Sequence, residues 1–245
     1  VHHGPEGIRQ IAQKIHHKTG VLKHVLGQMG VKVKNDTFFD TLCIEIETEA
    51  VRQKATEARV NFNYIDENRL SISINETTED SDIQQITEVF KKVLNTDVVA
   101  DFSETSLYGI PPHLQRKSPY LTQEVFQKYQ SETALMRYIK QLERKDLSLN
   151  HSMIPLGSCT MKLNAAAQLL PLSIPQWNSI HPLVPQDQAV GYQEMLSDLE
   201  DYLSEITGFS GTSLQPNSGA QGEFSGLMVI RAYHQSRNQP HRNIC

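Results

Sequence analysis

The segment Leu214–Glu223 combines the residue types that suit an anion-binding site. Ser218 is a good N-cap for a following helix, and Gln221 stands three residues later, where it completes a capping box. Gly219 and Gly222 allow a ligand to approach the backbone closely. The free amides and the positive end of the helix dipole suit phosphate. An ordinary capped helix explains the same residues, and the residues alone favour it.

A second polar cluster lies in Ser152–Asn164. Ser158, Cys159 and Thr160 place three small hydrogen-bonding side chains together. Cys159 is a nucleophile only if its pKa is depressed, and packing as a small apolar residue is the favoured alternative. Lys162 can form a Schiff base if it is desolvated, but a solvated or phosphate-pairing lysine is more common.

Histidine and cysteine spacing gives no indication of a metal site. The histidine pairs, His2-His3 and His16-His17, lack the spacing of metal ligands on a helix. The three cysteines form no C-x-x-C pair, which argues against a cysteine zinc site or a disulfide framework and favours a reducing compartment. His181 lies in an irregular proline-rich stretch, where it either faces a pocket or is an ordinary surface histidine.

The chain of 245 residues has a net charge of −5, which gives no electrostatic reason to expect binding to nucleic acid or an anionic membrane. No apolar run has membrane-spanning length. The N-terminus has neither a starting Met nor a signal peptide, and Arg242–Cys245 ends as an apolar run begins. We therefore expect an internal fragment of a longer protein.

Apolar periodicity predicts the elements that position these residues. A first helix is predicted from Pro5, with a possible break at Gly20, and a last helix is capped by Ser81 with Gln84. Between them the sequence predicts a short helix and three alternating strands, over 42–46, 60–64 and 70–74. This order predicts an α+β unit of about a hundred residues.

Later elements follow a turn-rich linker over 97–120. Ser131 is the expected cap of the next helix, and another amphipathic helix begins near Tyr192 and ends at Gly208. Between these two helices, residues 151–189 are irregular, and an irregular stretch of that length is often functional.

Five segments carry a resemblance to a known family. Ser152–Asn164, Asp187–Gln193 and Gln215–Glu223 closely resemble the pyridoxal-phosphate-dependent P proteins of the glycine cleavage system, and His3–Gly7 and Phe38–Leu42 are similar to them too. The resemblance covers essentially the whole chain. It implies an α/β protein of the fold type I pyridoxal-phosphate transferase class, built from two related halves.

The resemblance also implies a domain organisation. Residues 1–105 look like the small C-terminal α+β domain of the first half, residues 106–150 like a connecting linker and helix, and residues 151–245 like the start of the second half's large cofactor domain.

The implied activity is decarboxylation of glycine on pyridoxal phosphate, followed by transfer of the aminomethyl group to the lipoyl arm of the H protein. The implied partners are glycine, the H protein and the other glycine cleavage proteins, with an assembly that is a homodimer or a heterotetramer of halves. We expect no nucleic-acid or membrane partner. A bacterial cytoplasm is the preferred location, and the mitochondrial matrix is the alternative.

The resemblance assigns residues to two groups. The expected cofactor-binding residues are Ser218, Gly219 and Ala220. The substrate-side candidates are Ser158, Cys159, Thr160, His181 and Glu223. The family's Schiff-base lysine lies further downstream in a His-Lys-Thr motif, so we assign no catalytic residue to this chain and expect it to be inactive alone.

Two features depart from the family pattern. A His-Lys-Thr sequence occurs at residues 17–19, far upstream of the phosphate segment, and we interpret it as a chance match on a polar helix face. Gln123, Gln127 and Gln130 stand where the family tends to have His, Asn and His, and glutamine cannot titrate near neutral pH. Two alternatives remain open: a non-catalytic interaction module and another fold type I pyridoxal-phosphate enzyme.

Overall fold

The computed structural model describes residues 1–99, 110–146 and 166–244. The chain divides into two compact units, Val1–Met153 and Ile154–Cys245. Within the described ranges, no helix combines the length and the apolar character that a membrane crossing requires.

The first unit places helices beside a small antiparallel sheet. Its helices are α1 (Gly4–Gln28), α2 (Thr48–Glu57), α3 (Asp80–Leu94), α4 (Val125–Lys128) and α5 (Glu132–Glu143). Its strands are β1 (Lys32–Val33), β2 (Thr41–Glu45), β3 (Asn63–Asp66) and β4 (Arg69–Ser73), in the spatial order β1-β2-β4-β3. Apart from the two-residue strand β1 and the four-residue helix α4, this element order is the one the sequence predicts.

Strand alternation creates one apolar and one polar face of the sheet. In the register of β2 with β4, Leu42 lies opposite Ile72 and Cys43 opposite Ser71. Leu42 and Ile72 are buried, whereas Cys43 and Ser71 are half-buried, because successive side chains point to opposite faces. The buried side joins the inner faces of α1, α2 and α3 in one core. Its largest fully buried side chains are Phe90, Leu22, Leu26, Leu42, Ile44 and Leu70.

Asn35 ties the connection between β1 and β2 to the sheet. Its Nδ2 donates to the Thr41 carbonyl at 2.9 Å, and its Oδ1 accepts from the Cys43 amide at 2.8 Å. The side chain thereby satisfies a donor and an acceptor of β2 that strand pairing alone would leave to water.

The predicted start of α3 and the predicted second strand are displaced. Helix α3 begins at Asp80, before Ser81, and the Asp82 carboxylate accepts from the Glu79 amide at 2.7 Å, so the predicted Ser81–Gln84 capping box is wrong. Residues 60–64 were expected to be a strand, but β3 begins only at Asn63. The reason is that the Val60 amide donates to Ala55 O at 2.8 Å and closes the end of α2.

Helix α1 runs unbroken through Gly20, which is buried, so the possible break is absent. At its start, Gly4 has φ +61°, and a Cβ there would clash with Gln130 Nε2. The Tyr120 hydroxyl donates to the Pro5 carbonyl at 2.7 Å. These contacts hold the segment around α4 against the start of α1.

Helix α5 has the predicted cap but not a buried face. Ser131 Oγ accepts from the Ala134 amide at 3.3 Å, which confirms the cap. No residue of α5 is buried, and Ile139 and Leu142 on its apolar side are exposed.

In the second unit, the described residues are helical or irregular and contain no strand. The helices are α6 (Ala166–Leu169), α7 (Pro175–Asn178), α8 (Val190–Thr207) and α9 (Gly219–Ser236), with 3₁₀ turns at Leu170–Ser173 and Gln186–Gln188. Helix α8 ends at Gly208, which adopts φ 72°, as the sequence predicts for a helix-ending glycine.

Phe90 is the natural test of the core because it is fully buried and its ring centroid lies 6.0 Å from that of Phe62. We expect Phe90→Ala to lower the free energy of unfolding by about 3–5 kcal/mol, measured by urea denaturation followed by circular dichroism. The matched control is Phe39→Ala, because Phe39 is 42% exposed, and it should cost less than half as much. Equal losses for the two variants would contradict this assignment of the core.

The turn between β3 and β4 carries a charge-assisted hydrogen bond. Arg69 Nε donates to Asp66 Oδ2 at 2.7 Å, and the Asn68 amide donates to Asp66 Oδ1 at 3.0 Å. The hydrogen bond from Arg69, followed by that from Asn68, lowers the pKa of Asp66 below its ordinary value. The charged form of Asp66 therefore stabilises the folded state above the unfolded-state pKa, and this stabilisation is lost as pH falls through the lower folded-state pKa.

We expect Asp66→Asn to lower the urea midpoint at pH 7, because it removes the charge while keeping an acceptor for the turn. The difference from wild type should vanish once the pH is below the lowered pKa of Asp66. Glu67→Gln is the control, since Glu67 lies in the same turn and has no ion pair among the described residues. A deficit of Asp66→Asn that does not depend on pH would refute the electrostatic explanation.

Candidate functional site

The segment that leads into α9 is held by polar groups of α8. Glu200 Oε1 accepts from the Leu214 amide at 3.1 Å, and Ser204 Oγ lies 3.0 Å from Thr212 Oγ1. Sequence reasoning missed Glu200, because a glutamate on an amphipathic helix carries no signal that its partner is a backbone amide fourteen residues later. These contacts fix the chain shortly before α9 begins.

The N-terminus of α9 is capped by two side chains. Ser218 has the extended backbone of an N-cap, and its Oγ accepts from the Gln221 amide at 3.3 Å, which confirms the predicted cap. The second half of the predicted capping box is different. Gln221 Oε1 accepts from the amide of Asn217, at 2.8 Å, rather than from that of Ser218. The two bonds form a clasp, Asn217–Ser218–Gln221, around the first turn.

The clasp leaves backbone donors free at the helix start. The amides of Gly219 and Ala220 belong to the first turn, where a helix offers no internal acceptor, and they have no acceptor among the described residues. A Cβ placed on Gly219 or Gly222 would meet nothing within 4 Å. The first turn contains no acidic residue. Ser218, Gly219 and Ala220 thus form an open cluster of donors at the positive end of an 18-residue helix, which suits a small anion.

Glu223 lies one turn after Gly219 on the same side of α9. Its side chain is exposed and has no ion-pair partner among the described residues. An ionised carboxylate only accepts hydrogen bonds. Glu223 can therefore orient a cationic or N–H group of a ligand, but it opposes an anion placed beside it.

His181 is exposed and forms a local turn. Its Nδ1 accepts from the Leu183 amide at 3.1 Å, and its carbonyl accepts from the Val184 amide at 3.0 Å. Because Nδ1 is an acceptor, the neutral imidazole carries its proton on Nε2, which is left to donate outward. Among the described residues, no hydrogen bond joins His181 to Ser218, Gly219, Ala220 or Glu223.

The cluster Ser158, Cys159 and Thr160, together with Lys162, lies outside the described residues. Its predicted roles stay predictions. Among the residues that are described, no group of three or more histidine, cysteine or acidic side chains is placed to hold a metal ion.

The His-Lys-Thr sequence of α1 contributes to packing. Lys18 Nζ donates to the Thr78 carbonyl and lies 3.6 Å from an Asp80 carboxylate oxygen, so it joins α1 to the start of α3. Thr19 is fully buried and donates to Ile15 O at 2.9 Å. The segment is therefore not simply a polar helix face, since one of its three residues belongs to the interior.

Two of the three glutamines that depart from the family pattern bind backbone carbonyls. Gln127 Nε2 donates to Leu121 O at 3.4 Å, and Gln130 Nε2 donates to Phe126 O at 3.3 Å. Both side chains hold the segment around α4, a role that an amide performs without a titrating group.

Known proteins are similar to this chain along its whole length. A family model described as "Glycine cleavage system P-protein" matches residues 1–90. All of the chain matches proteins named "Glycine dehydrogenase (decarboxylating)": it is 54% identical to the one from Flavobacterium johnsoniae, 52% to that from Christiangramia forsetii and 47% to that from Deinococcus radiodurans.

The chain spans about a quarter of the length of these curated relatives, 26% of the first two and 25% of the third. The matches extend through both units, including the segment that forms the start of α9. Residues 1–90 thus match the model of the glycine cleavage system P-protein family, and the whole chain is similar to a part of proteins named glycine dehydrogenase (decarboxylating).

Proposed function

We propose that this chain is part of an enzyme that decarboxylates glycine on pyridoxal phosphate and passes the aminomethyl group to the lipoyl arm of the H protein. The observation that carries the proposal is the 54% identity over all 245 residues to a relative named glycine dehydrogenase (decarboxylating). The other proteins of the glycine cleavage system are the expected partners. A bacterial cytoplasm is the proposed location, as the named relatives are bacterial proteins.

We further infer the fold type I architecture for the protein that contains this chain. The antiparallel sheet of the first unit, with α1, α2 and α3 packed against one face, supports a small domain over residues 1–105. Residues 106–150 would form the connection, and residues 151–245 would begin the large cofactor domain. A homodimer or a heterotetramer of halves is the corresponding assembly.

The start of α9 fits the phosphate of the cofactor. Gly219 and Ala220 offer free amide donors, Ser218 offers its hydroxyl, and the space in front of Gly219 is open. When bound, pyridoxal phosphate supplies an electron sink that stabilises the charge left on the substrate carbon as carbon dioxide departs. The residues of α9 would bind and orient the cofactor: their amides would hold the phosphate.

Two further residues are proposed on the substrate side. His181 presents Nε2–H as a donor suited to a carboxylate, because Leu183 occupies its Nδ1. The exposed Glu223 carboxylate suits a cationic or N–H group. Ser158, Cys159 and Thr160 complete the proposed set.

The test uses the natural full-length protein that carries this sequence. It should bind pyridoxal phosphate with a visible absorbance band that changes on addition of glycine and not of alanine. It should also release labelled carbon dioxide from carboxyl-labelled glycine when lipoylated H protein is present. A folded protein that binds no pyridoxal phosphate would refute the proposal and favour a non-catalytic interaction module.

Ser218→Ala should weaken pyridoxal phosphate binding in that protein roughly ten- to a hundredfold, because a hydrogen bond to a charged group is lost. The matched control is Ser213→Ala, five residues earlier in the same segment. Ser213 Oγ accepts only a long bond, 3.4 Å, from the Gln215 amide. Equal affinities for the two variants would remove Ser218 from the site.

A further inference from the structure

Helix α9 exposes large apolar side chains on all of its sides. No residue of α9 is buried, and Val229 is 68% exposed. Glu223 and Arg231 are its only Asp, Glu, Lys or Arg residues. Successive residues of a helix are turned by about 100°, so the exposed apolar residues of α9 circle the helix axis. They are Phe224, Leu227, Met228, Val229, Ile230 and Tyr233.

Helix α3 shows how a helix that covers one face of a sheet differs from α9. Ile83, Ile86 and Phe90 of α3 are buried in the core of the first unit. The opposite side of α3 is exposed and carries the polar residues Gln84, Gln85, Glu88 and Lys92. A helix with this role needs one apolar side only. Because α9 has no polar side, packing against a single sheet would still leave apolar side chains in water.

The cover that α9 requires is larger than the second unit supplies. Soluble monomers rarely expose apolar surface of this extent, and a helix that is apolar all round is typical of a protein interior. The chain spans about a quarter of the length of its curated relatives. A protein of that length therefore contains three times as much polypeptide outside these 245 residues, enough to cover both sides of α9.

We propose that α9 is an interior helix of the full-length protein, covered on opposite sides by the polypeptide that lies outside residues 1–245. The covering surfaces are apolar, because the middle of α9 offers them almost no charge to pair with. Leu227 and Val229 are two positions apart and point about 160° away from each other, so both are inaccessible to solvent in the full-length protein. This inference does not depend on the proposed catalytic activity.

The experiment introduces one thiol at a time into the natural full-length protein, as Leu227→Cys or Val229→Cys, and measures its reaction rate with a maleimide. Cysteine is itself a small apolar residue, so the substitutions keep the apolar character of α9. Both thiols should react roughly a hundredfold or more slowly in the native protein than in urea, because labelling requires local opening. The matched control is Ser197→Cys, since Ser197 is an exposed polar residue of α8. Its rate should be similar in both conditions.

Hydrogen exchange of the wild-type protein gives a second measurement that needs no substitution. The backbone amides in the middle of α9 should exchange as slowly as those of α3, whose apolar side lies in the core of the first unit. The wild-type protein also supplies the background of maleimide labelling by its natural cysteines.

Rapid native labelling of either thiol, or rapid exchange of the α9 amides, would overturn the proposal, because one side of α9 would then face water. Labelling that becomes rapid only when dilution dissociates the protein into monomers would also overturn it, since a second copy would then be the cover. Slow labelling of both thiols at every concentration is the expected result. If such a protein does not bind pyridoxal phosphate, the proposed function fails and the position of α9 stands.

Discussion

Burial of a single face of the four-stranded sheet is the constraint on which the first unit depends. Leu42 and Ile44 from β2, with Leu70 and Ile72 from β4, present one apolar surface that must be covered, and α1, α2 and α3 cover it. A shift of one residue in the pairing of β2 with β4 would turn the apolar side chains of one of the two strands to the solvent. The register therefore also decides which residues lie on the polar face, Cys43 and Ser71 among them.

The periodicity of the sequence predicted the main elements of this unit, because alternation and helical spacing are properties of neighbouring residues. It could not predict details decided by competition for backbone partners. Val60 alternates correctly for a strand, yet its amide is taken by the carbonyl of Ala55 at the end of α2. Ser81 is a better N-cap by residue type than Glu79, but the Asp82 carboxylate reaches the Glu79 amide and moves the helix start. In both cases one tertiary or capping bond outweighed a local preference.

At the candidate site, too, the sequence predicted the local cap but not the contacts between distant residues. Ser218 and Gln221 were recognisable from their spacing, since a cap uses residues three apart. The partner of the Gln221 side chain, Asn217, depends on how the chain enters α9, and that entry is set by Glu200 and Ser204 on α8. No sequence rule links residues fourteen positions apart through a side chain and a backbone amide. The hydrogen-bond partners at the start of α9 therefore could not be predicted from the sequence.

The hydrogen bond from Tyr120 to the Pro5 carbonyl has a consequence for the order of folding. It joins residues 115 positions apart, so forming it first would close a very long loop for a net gain of only about 0.5–1.5 kcal/mol. The pairing of β2 with β4 closes loops of at most 32 residues, and it brings together the apolar side chains that form the core. We therefore expect the segment around α4 to dock onto α1 after the sheet has formed and to detach from α1 before the sheet opens.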